Sequence, residues 1–399
     1  MELRCLSCET AYPPTTQFRC RTCNGQLTAT YETPLQRARI VSGETMFEKY
    51  GQRLPSQGSV AGDEGGTPLV RAAKLEDRLD LPGTIYLKDE RRNPTRSFKD
   101  RAFAPAISLA AESDFDAVLT ASTGNAAAAC ARYSARADLD CYVLVEESVP
   151  DGKLVEPRAY GATVVRVPCL FTGGRAQQER LLEAIADRVD AYLAFAYQPF
   201  NAVVGEGVKT ISYEVAEHLD GVPDIVVTAT GGGDNLAAQH RGYEELRAAG
   251  IRSSVPRMVA AQADGAAPLV EAVETDAPAP SEIENPSSIA SGINTAFAGQ
   301  HGLDAIRESS GTAIGVTDEQ LIDGIEALAE TVGVWPEPSS AAVVSALAEL
   351  ADRGQLHADD DVVLTITGSG HKHTEPIEGR FDPVPVVSCE PDAIADAFD

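Results

Sequence analysis

The chain has 399 residues, 43% of them hydrophobic and 23% charged, which is enough for one large two-lobed unit or two to three domains. Its net charge of −27, from 60 acidic and 33 basic residues, weighs against non-specific nucleic-acid binding, which needs an extended basic surface to neutralise phosphates. No apolar run of 18 residues occurs and Met1 to Cys5 lacks a charged-then-apolar leader, so the expectation is a cytoplasmic protein without a membrane span.

The first elements are cysteine pairs. Cys5 and Cys8, then Cys20 and Cys23, form two CxxC turns separated by 11 residues. Each turn can present two thiolates, and two such turns complete a tetrahedral zinc site with no open position for chemistry. Residues 1–32 are therefore expected to form a small zinc-ribbon-like knuckle, and residues 33–399 the main body. The other cysteines, Cys130, Cys141, Cys169 and Cys389, read as buried small hydrophobes. A disulfide framework is not expected in a chain of this size without a secretory signal.

From Pro34 to Gly66 the composition predicts a linker with one short helix. After it, strand and helix patterns alternate. Strands are predicted over Thr84–Lys88, Ala117–Thr120, Cys141–Val145, Thr163–Val167, Asp224–Thr228, Met258–Gln262 and Val362–Thr367. Helices are predicted over Phe98–Ala111, Asn125–Ala137 and Asn235–Ala249. Glu271–Pro286, rich in Pro, Glu and Ala, reads as a solvated loop. This βα alternation predicts an α/β protein with parallel sheets covered on both faces.

Three strand-to-helix junctions are rich in small polar residues. Ligands collect at the carboxyl ends of strands in such sheets, where helix N-termini offer free N–H groups. At the first junction, Asn93 to Arg101, Lys99 opens a helix. A partly desolvated amine near a positive dipole end is a nucleophile, although a lysine at a helix start is by itself usually a surface residue. The second junction, Ser122-Thr123-Gly124-Asn125, could hold a carboxylate or ring hydroxyl, or be an ordinary helix cap. The third, Thr230 to Asn235, carries three successive glycines, Gly231, Gly232 and Gly233, whose N–H groups make a phosphate cradle. Lys88 is a rival lysine, read as structural. His371 and His373 lack a third metal ligand nearby and read as turn residues.

These segments together resemble the threonine synthase family of fold-type II pyridoxal-phosphate enzymes, a group that includes the tryptophan synthase β subunit. Asn93 to Arg101 is similar to the family's NPTGSFKDR signature and Gly65 to Leu69 to its GxTPL segment. Ser122 to Asn125 matches SxGN, Glu337 to Ala342 resembles EPASAA, and Thr367 to Lys372 resembles TGxGLK. The four-cysteine start resembles the knuckle of many archaeal and bacterial members. The resemblance implies two α/β lobes with pyridoxal 5′-phosphate between them and a homodimer. It implies that Lys99 binds the cofactor covalently and that Asn125 bonds its 3′-oxygen. Gly231, Gly232, Gly233, Asp234 and Asn235 would hold its phosphate, and Thr367 would face its ring nitrogen. A neutral hydroxyl there makes a milder electron sink, suited to elimination and replacement. Ser122 and Thr123 are implied for substrate contacts, and Ser97 and Arg101 for the substrate phosphate. The implied reaction converts O-phospho-L-homoserine and water to L-threonine and phosphate.

Two residues depart from the family pattern. Arg96 stands where glycine is usual and could reach the substrate phosphate or fill the pocket. Asp234 stands where glycine is usual in the phosphate loop and must point away from a bound phosphate, for instance as a helix cap. Arg96 keeps open a serine/threonine dehydratase or a phosphoserine-using β-replacement synthase. An inactive paralogue acting as a binding module is the alternative from another class. The chain also has only seven lysines, at 49, 74, 88, 99, 153, 209 and 372. Abundant acid with scarce lysine reads as salt adaptation, because concentrated salt screens self-repulsion.

Overall fold

The computed structural model describes residues 1–14, 18–33, 35–36, 43, 45–122, 124–147, 149, 151–168, 170, 174–381 and 383–398. The strands in chain order are β1 (Glu2–Cys5), β2 (Ala11–Tyr12), β3 (Leu27–Thr30), β4 (Leu69–Arg71), β5 (Thr84–Asp89), β6 (Ala117–Ala121) and β7 (Asp140–Val145). They continue with β8 (Thr163–Arg166), β9 (Tyr192–Leu193), β10 (Ile225–Ala229), β11 (Arg257–Ala263), β12 (Thr312–Val316) and β13 (Asp361–Ile366).

Among the described residues these form three sheets. A six-stranded sheet has the order β12-β11-β10-β13-β5-β4, parallel throughout except for the edge strand β4. A four-stranded parallel sheet has the order β8-β7-β6-β9. The smaller sheet is built from chain that lies between β5 and β10, so the larger sheet is closed by strands far apart in sequence. Central strands such as Val226 and Val227 of β10 and Val362, Val363 and Leu364 of β13 are fully buried, as expected of parallel sheets covered on both faces.

The third sheet, β2-β1-β3, is antiparallel, with Cys5 at the end of β1 and Cys8, Cys20 and Cys23 in the connections beyond it. It is fastened to the larger body by polar contacts. Arg241 donates to the Ala29 carbonyl and to Thr28 Oγ1, Tyr31 donates to Glu206, and Arg19 pairs with Glu179.

The predicted helix over Asn125–Ala137 is observed with those bounds, and the others shift by one residue, to Lys99–Glu112 and Asp234–Ala248. Glu271–Pro286 is corrected in part: Pro268–Glu274 is helical, because Pro at the first turn starts a helix whose Leu269 and Ala272 are buried. Cys130 and Cys141 are buried as expected, Cys389 is exposed, and Cys169 lies outside the described residues.

Two backbone features shape the turns. Gly65 and Gly66 both have positive φ, at 83° and 59°. Six aspartates also take positive φ: Asp80, Asp114, Asp138, Asp190, Asp220 and Asp276, each just beyond a helix. Asp tolerates this region better than most side chains, though less well than glycine.

Behind the site lies a buried ion cluster. Arg101 grips Glu90 through Nε and Nη2 at 2.7 and 2.9 Å, and Glu214 through Nη1 and Nη2 at 2.7 and 2.6 Å. Its remaining donors reach Thr210 and Thr67. Lys88 donates to Glu214 at 2.6 Å and to the Thr67 carbonyl. All four charged side chains are almost wholly inaccessible, and two cations balance two anions. Burial works against the Glu214 carboxylate, but Arg101 and Lys88 outweigh it and hold its pKa well below the usual range. Removing one partner of such a cluster leaves an uncompensated buried charge. Glu214→Gln is expected to cost about 3–5 kcal/mol by chemical denaturation. A loss below about 1 kcal/mol would show that the cluster does not hold the fold.

Candidate active site

The four segments of interest meet at the carboxyl ends of parallel strands. Lys99 opens the helix that follows β5, Asn125 the helix that follows β6, and the Gly231–Asn235 turn leads from β10 into the helix Asp234–Ala248. Thr367 follows β13 directly. The loop before Lys99 is stitched to the end of β13. Phe98 N donates to the Thr367 carbonyl at 2.9 Å, Ser369 N donates to the Arg96 carbonyl at 3.1 Å, and Ser97 and Gly368 form an isolated β-bridge. Lys99 and Thr367 are thereby set side by side.

Lys99 keeps partial solvent access, and its Nζ lies 4.6 Å from the centre of the Phe98 ring. Desolvation lowers its pKa, and the carboxylates of Asp234 and Glu337 act against that lowering. The amine therefore faces two carboxylates without bonding to either.

Glu337, the first residue of the EPSSAA segment, is a further residue of the cleft. Its Oε2 accepts from Asn125 Nδ2 at 2.8 Å. Burial raises its pKa, opposed by the Asn125 bond and by Lys372, Lys153 and Lys99. A Cβ on Gly368 would fall 2.4 Å from Glu337 Oε1, so only glycine allows this approach. Ser340, three residues on, bonds Thr367 Oγ1 at 2.7 Å and also accepts from Gly368 N. The motif itself was the signal for both residues. Lys153, half-buried, donates to Ser291 at 3.0 Å, and the Glu337 carboxylate partly offsets the lowering of its pKa by burial.

The glycine turn has the form of an anion cradle. A Cβ on Gly231 would lie 3.0 Å from Thr295, and Gly233 has φ 95° with Gly302 pressed against it. Asn235 Nδ2 is a buried donor without a partner among the described residues. Asp234 does not cap its own helix; Gly233 occupies that position. Its Oδ1 instead accepts from Gln198 N at 2.6 Å and meets His301 Nε2 at 3.2 Å. Its other oxygen stays by the turn, with Oδ2 3.0 Å from where a Cβ on Gly232 would lie.

Other expected residues fall elsewhere. Arg101 is a correction: its guanidinium is fully buried with every donor engaged in the ion cluster, so it has none left for a substrate phosphate. Ser97 is a second correction, since it is fully buried and its Oγ faces the Lys99 backbone N–H. Ser122 accepts from Gly124 N at 3.1 Å and keeps partial exposure, and Thr123 lies outside the described residues. Lys88 is held in the ion cluster. His371 bonds Ser369, and burial pushes the His373 pKa down to about 4. Arg96 is exposed, with φ 65°, so a left-handed backbone explains why glycine suits this position. Its side chain lines a surface cavity with Arg92 and Arg132.

The thiol sulfurs of Cys5, Cys8, Cys20 and Cys23 lie within 4.8 Å of one another, with contacts of 3.4–3.5 Å. Four sulfurs around a tetrahedral ion at about 2.3 Å would be roughly 3.8 Å apart, so the arrangement suits zinc. A Cβ on Gly25 would sit 2.9 Å from Cys5 Sγ, which keeps this turn open only to glycine.

Beside Lys99, Asp100 is buried and its pKa is pushed up to about 7, although Thr95 donates to it through N and Oγ1. An unfolded aspartate titrates near 4. Between about pH 4 and 7 the folded chain holds the extra proton, so this residue's contribution to stability is complete below pH 4 and lost as pH rises through 7. Asp100→Asn keeps an acceptor for Thr95 and cannot ionise. It is expected to be more stable than the native chain at pH 8, by a few kcal/mol at most, with the gap closing towards pH 4. A gap that widens on acidification would contradict this.

Comparison with known proteins gives a consistent result. The family described as pyridoxal-phosphate dependent enzyme matches residues 60–368. A threonine synthase from Methanosarcina acetivorans is 33% identical over 405 residues, covering 99% of this chain and 98% of that one. A threonine synthase from Methanocaldococcus jannaschii is 34% identical, covering 92% of each. Among solved structures, serine racemase from Dictyostelium discoideum aligns with a TM-score of 0.62 and 25% identity, covering 76% of this chain and 92% of that one.

Proposed function

Since the chain belongs to the pyridoxal-phosphate-dependent enzymes and matches threonine synthases over almost its whole length, we propose that it is a lyase converting O-phospho-L-homoserine and water to L-threonine and phosphate. The observation that carries this reading is the convergence of Lys99, Asn125, Thr367 and the glycine cradle at strand ends, with an unpartnered Asn235 donor in the cradle.

In this reading pyridoxal phosphate supplies the electron sink that makes the substrate's Cα and Cβ protons removable. The turn Gly231–Asn235 would hold its phosphate, Lys99 would bind it covalently, and Asn125 and Thr367, the latter braced by Ser340, would meet its ring substituents. The Lys99 amine has the lowered basicity of a desolvated group and would take one proton each from Cα and Cβ, delivering one to Cγ and returning one to Cα. Phosphate leaves from Cγ, which becomes the methyl group, and the water hydroxyl joins Cβ. Glu337 holds Asn125 in place and adds negative charge on that side of the cleft. With Arg101 and Ser97 buried, Lys153, half-buried and near the Glu337 carboxylate, is a cation placed to meet an anionic group of the substrate. By the same resemblance the enzyme is cytoplasmic and dimeric. Its acid-rich, lysine-poor composition fits a salty interior; no helix among the described residues is long and apolar enough to cross a membrane.

The direct test is product analysis with phosphohomoserine, phosphoserine, threonine and serine offered in turn; threonine should form from the first. Lys99→Ala should lack both turnover and the protein-bound cofactor absorbance that borohydride abolishes. A reducible cofactor band that survives in this variant would overturn the assignment of Lys99.

Lys153→Ala should raise KM for phosphohomoserine by a factor matching the loss of one charged hydrogen bond, about 1.5–3 kcal/mol. An unchanged KM would remove Lys153 from the substrate site.

The cysteine cluster is read as a structural zinc site. Protein prepared under reducing conditions should carry one zinc per chain, and Cys8→Ser should lose it while keeping the cofactor band. Metal analysis without zinc would refute the site.

A further inference from the structure

Arg92, Arg96 and Arg132 line one cavity of about 510 Å³, together with Asn93, Pro94 and Asp63. Neither Arg92 nor Arg96 has a side-chain hydrogen bond or ion pair with any described residue, and both are exposed. Arg132 reaches the cavity from the helix Asn125–Ala137, and its Nε is buried without a partner. Asp63 is the one carboxylate in the lining. The wall thus carries three positive charges against one negative, in a chain whose net charge is −27. Arg96 is also held at φ 65°, a backbone region that penalises a side chain of its size. Its backbone is held there by Arg96 N donating to the Asn93 carbonyl and Ser369 N donating to the Arg96 carbonyl, while the side chain is left without a bonded partner among the described residues.

We propose that this cavity is a binding site for a phosphate dianion, as inorganic phosphate or a small phosphate monoester, separate from the cofactor cleft. Two arms with planar guanidinium forks and a third with a free buried donor suit the tetrahedral array of acceptor oxygens, and the net charge of the wall matches a dianion. The cofactor cleft is a different place: Lys99, Asn125, Asp234, Glu337 and Thr367 are all absent from the lining. Three connections join the two. The Arg96 carbonyl accepts from Ser369, Arg92 ends the turn that presents Glu90 to Arg101, and Arg132 lies within electrostatic reach of Asp100, next to Lys99. An anion that draws the three arginines together therefore bears on the loop that carries the lysine.

The proposal goes beyond the reaction assigned above, and binding can be read without turnover. Isothermal titration of the holoenzyme with inorganic phosphate, and separately with methyl phosphate, at ionic strength held constant with chloride, is compared with the double variant R92A/R96G. Both positions are exposed, and glycine suits the φ at 96, so the variant keeps its fold; its cofactor absorbance and far-UV spectrum check this. The native protein should bind one phosphate that the variant binds at least tenfold more weakly. If a second phosphate binds in the cleft, only one of the two should be lost. Binding of methyl phosphate but not inorganic phosphate, with the same loss, would identify a monoester as the ligand. Equal binding by both proteins, or no phosphate binding above the chloride background, would overturn the site whether or not the enzyme makes threonine.

Discussion

The bidentate grip of Arg101 on Glu90 and Glu214 is the interaction on which the site depends. Arg101 sits two residues beyond Lys99 on the first turn of its helix, Glu90 follows the last residue of β5, and Glu214 comes from the helix Thr210–His218. The cluster therefore joins the lysine's helix to the larger sheet and to a helix far along the chain. Gly66 N and the Thr67 hydroxyl also bond to it, and Gly65 N bonds to Asn93, so the turn before β4 is drawn into the same knot. Burying four charges is costly, and hydrophobic replacements of similar volume can be as stable. What the ions add is directionality: paired guanidinium and carboxylate groups admit one relative orientation of three elements, whereas apolar packing tolerates several.

On this rigid base the cleft is assembled from close backbone approaches. Gly368 lets Glu337 reach Asn125, and Gly231 and Gly233 let Thr295 and Gly302 close over the cradle. The hydroxyl pair Ser340 and Thr367 ties the EPSSAA helix to the end of β13. A site made this way is set by main-chain positions more than by side-chain reach, which favours precise holding of a planar, anionic group.

Much of this was legible in the sequence. The strand-to-helix junctions marked the cleft, because Gly, Ser, Asn and Lys cluster where βα turns require them. The helix Asn125–Ala137 was readable to its ends, since polar residues bound an alanine-rich run. What was missed had non-local causes. Arg101 looked like a ligand for the substrate because it stands beside Lys99, while its partner Glu214 is 113 residues away and carries no motif. Strands β4, β9 and β12 escaped notice: the first two have three and two residues, and Gly315 interrupts the third. Arg96 stands out in the sequence only by its departure from glycine; its left-handed φ and its place in a surface cavity depend on the fold. Asp234 does not cap its helix; its Oδ1 bonds Gln198 and His301 instead, residues that no local pattern singled out.

The six left-handed aspartates give the molecule an uncommon kind of helix ending. Glycine is the usual residue there, neutral and without a side chain. Each aspartate instead sets a carboxylate against the negative end of a helix dipole, a repulsion of about 0.3–1 kcal/mol at low ionic strength that salt suppresses. Because the carboxylates stand at separate helix ends, from Asp80 to Asp276, the penalty is spread over the body and not gathered in one patch. At Asp220 and Asp276 an arginine of the chain, Arg252 and Arg307, already meets the carboxylate, so screening by salt bears on the other four helix ends, while the buried cluster behind Lys99, shielded from solvent, is screened far less.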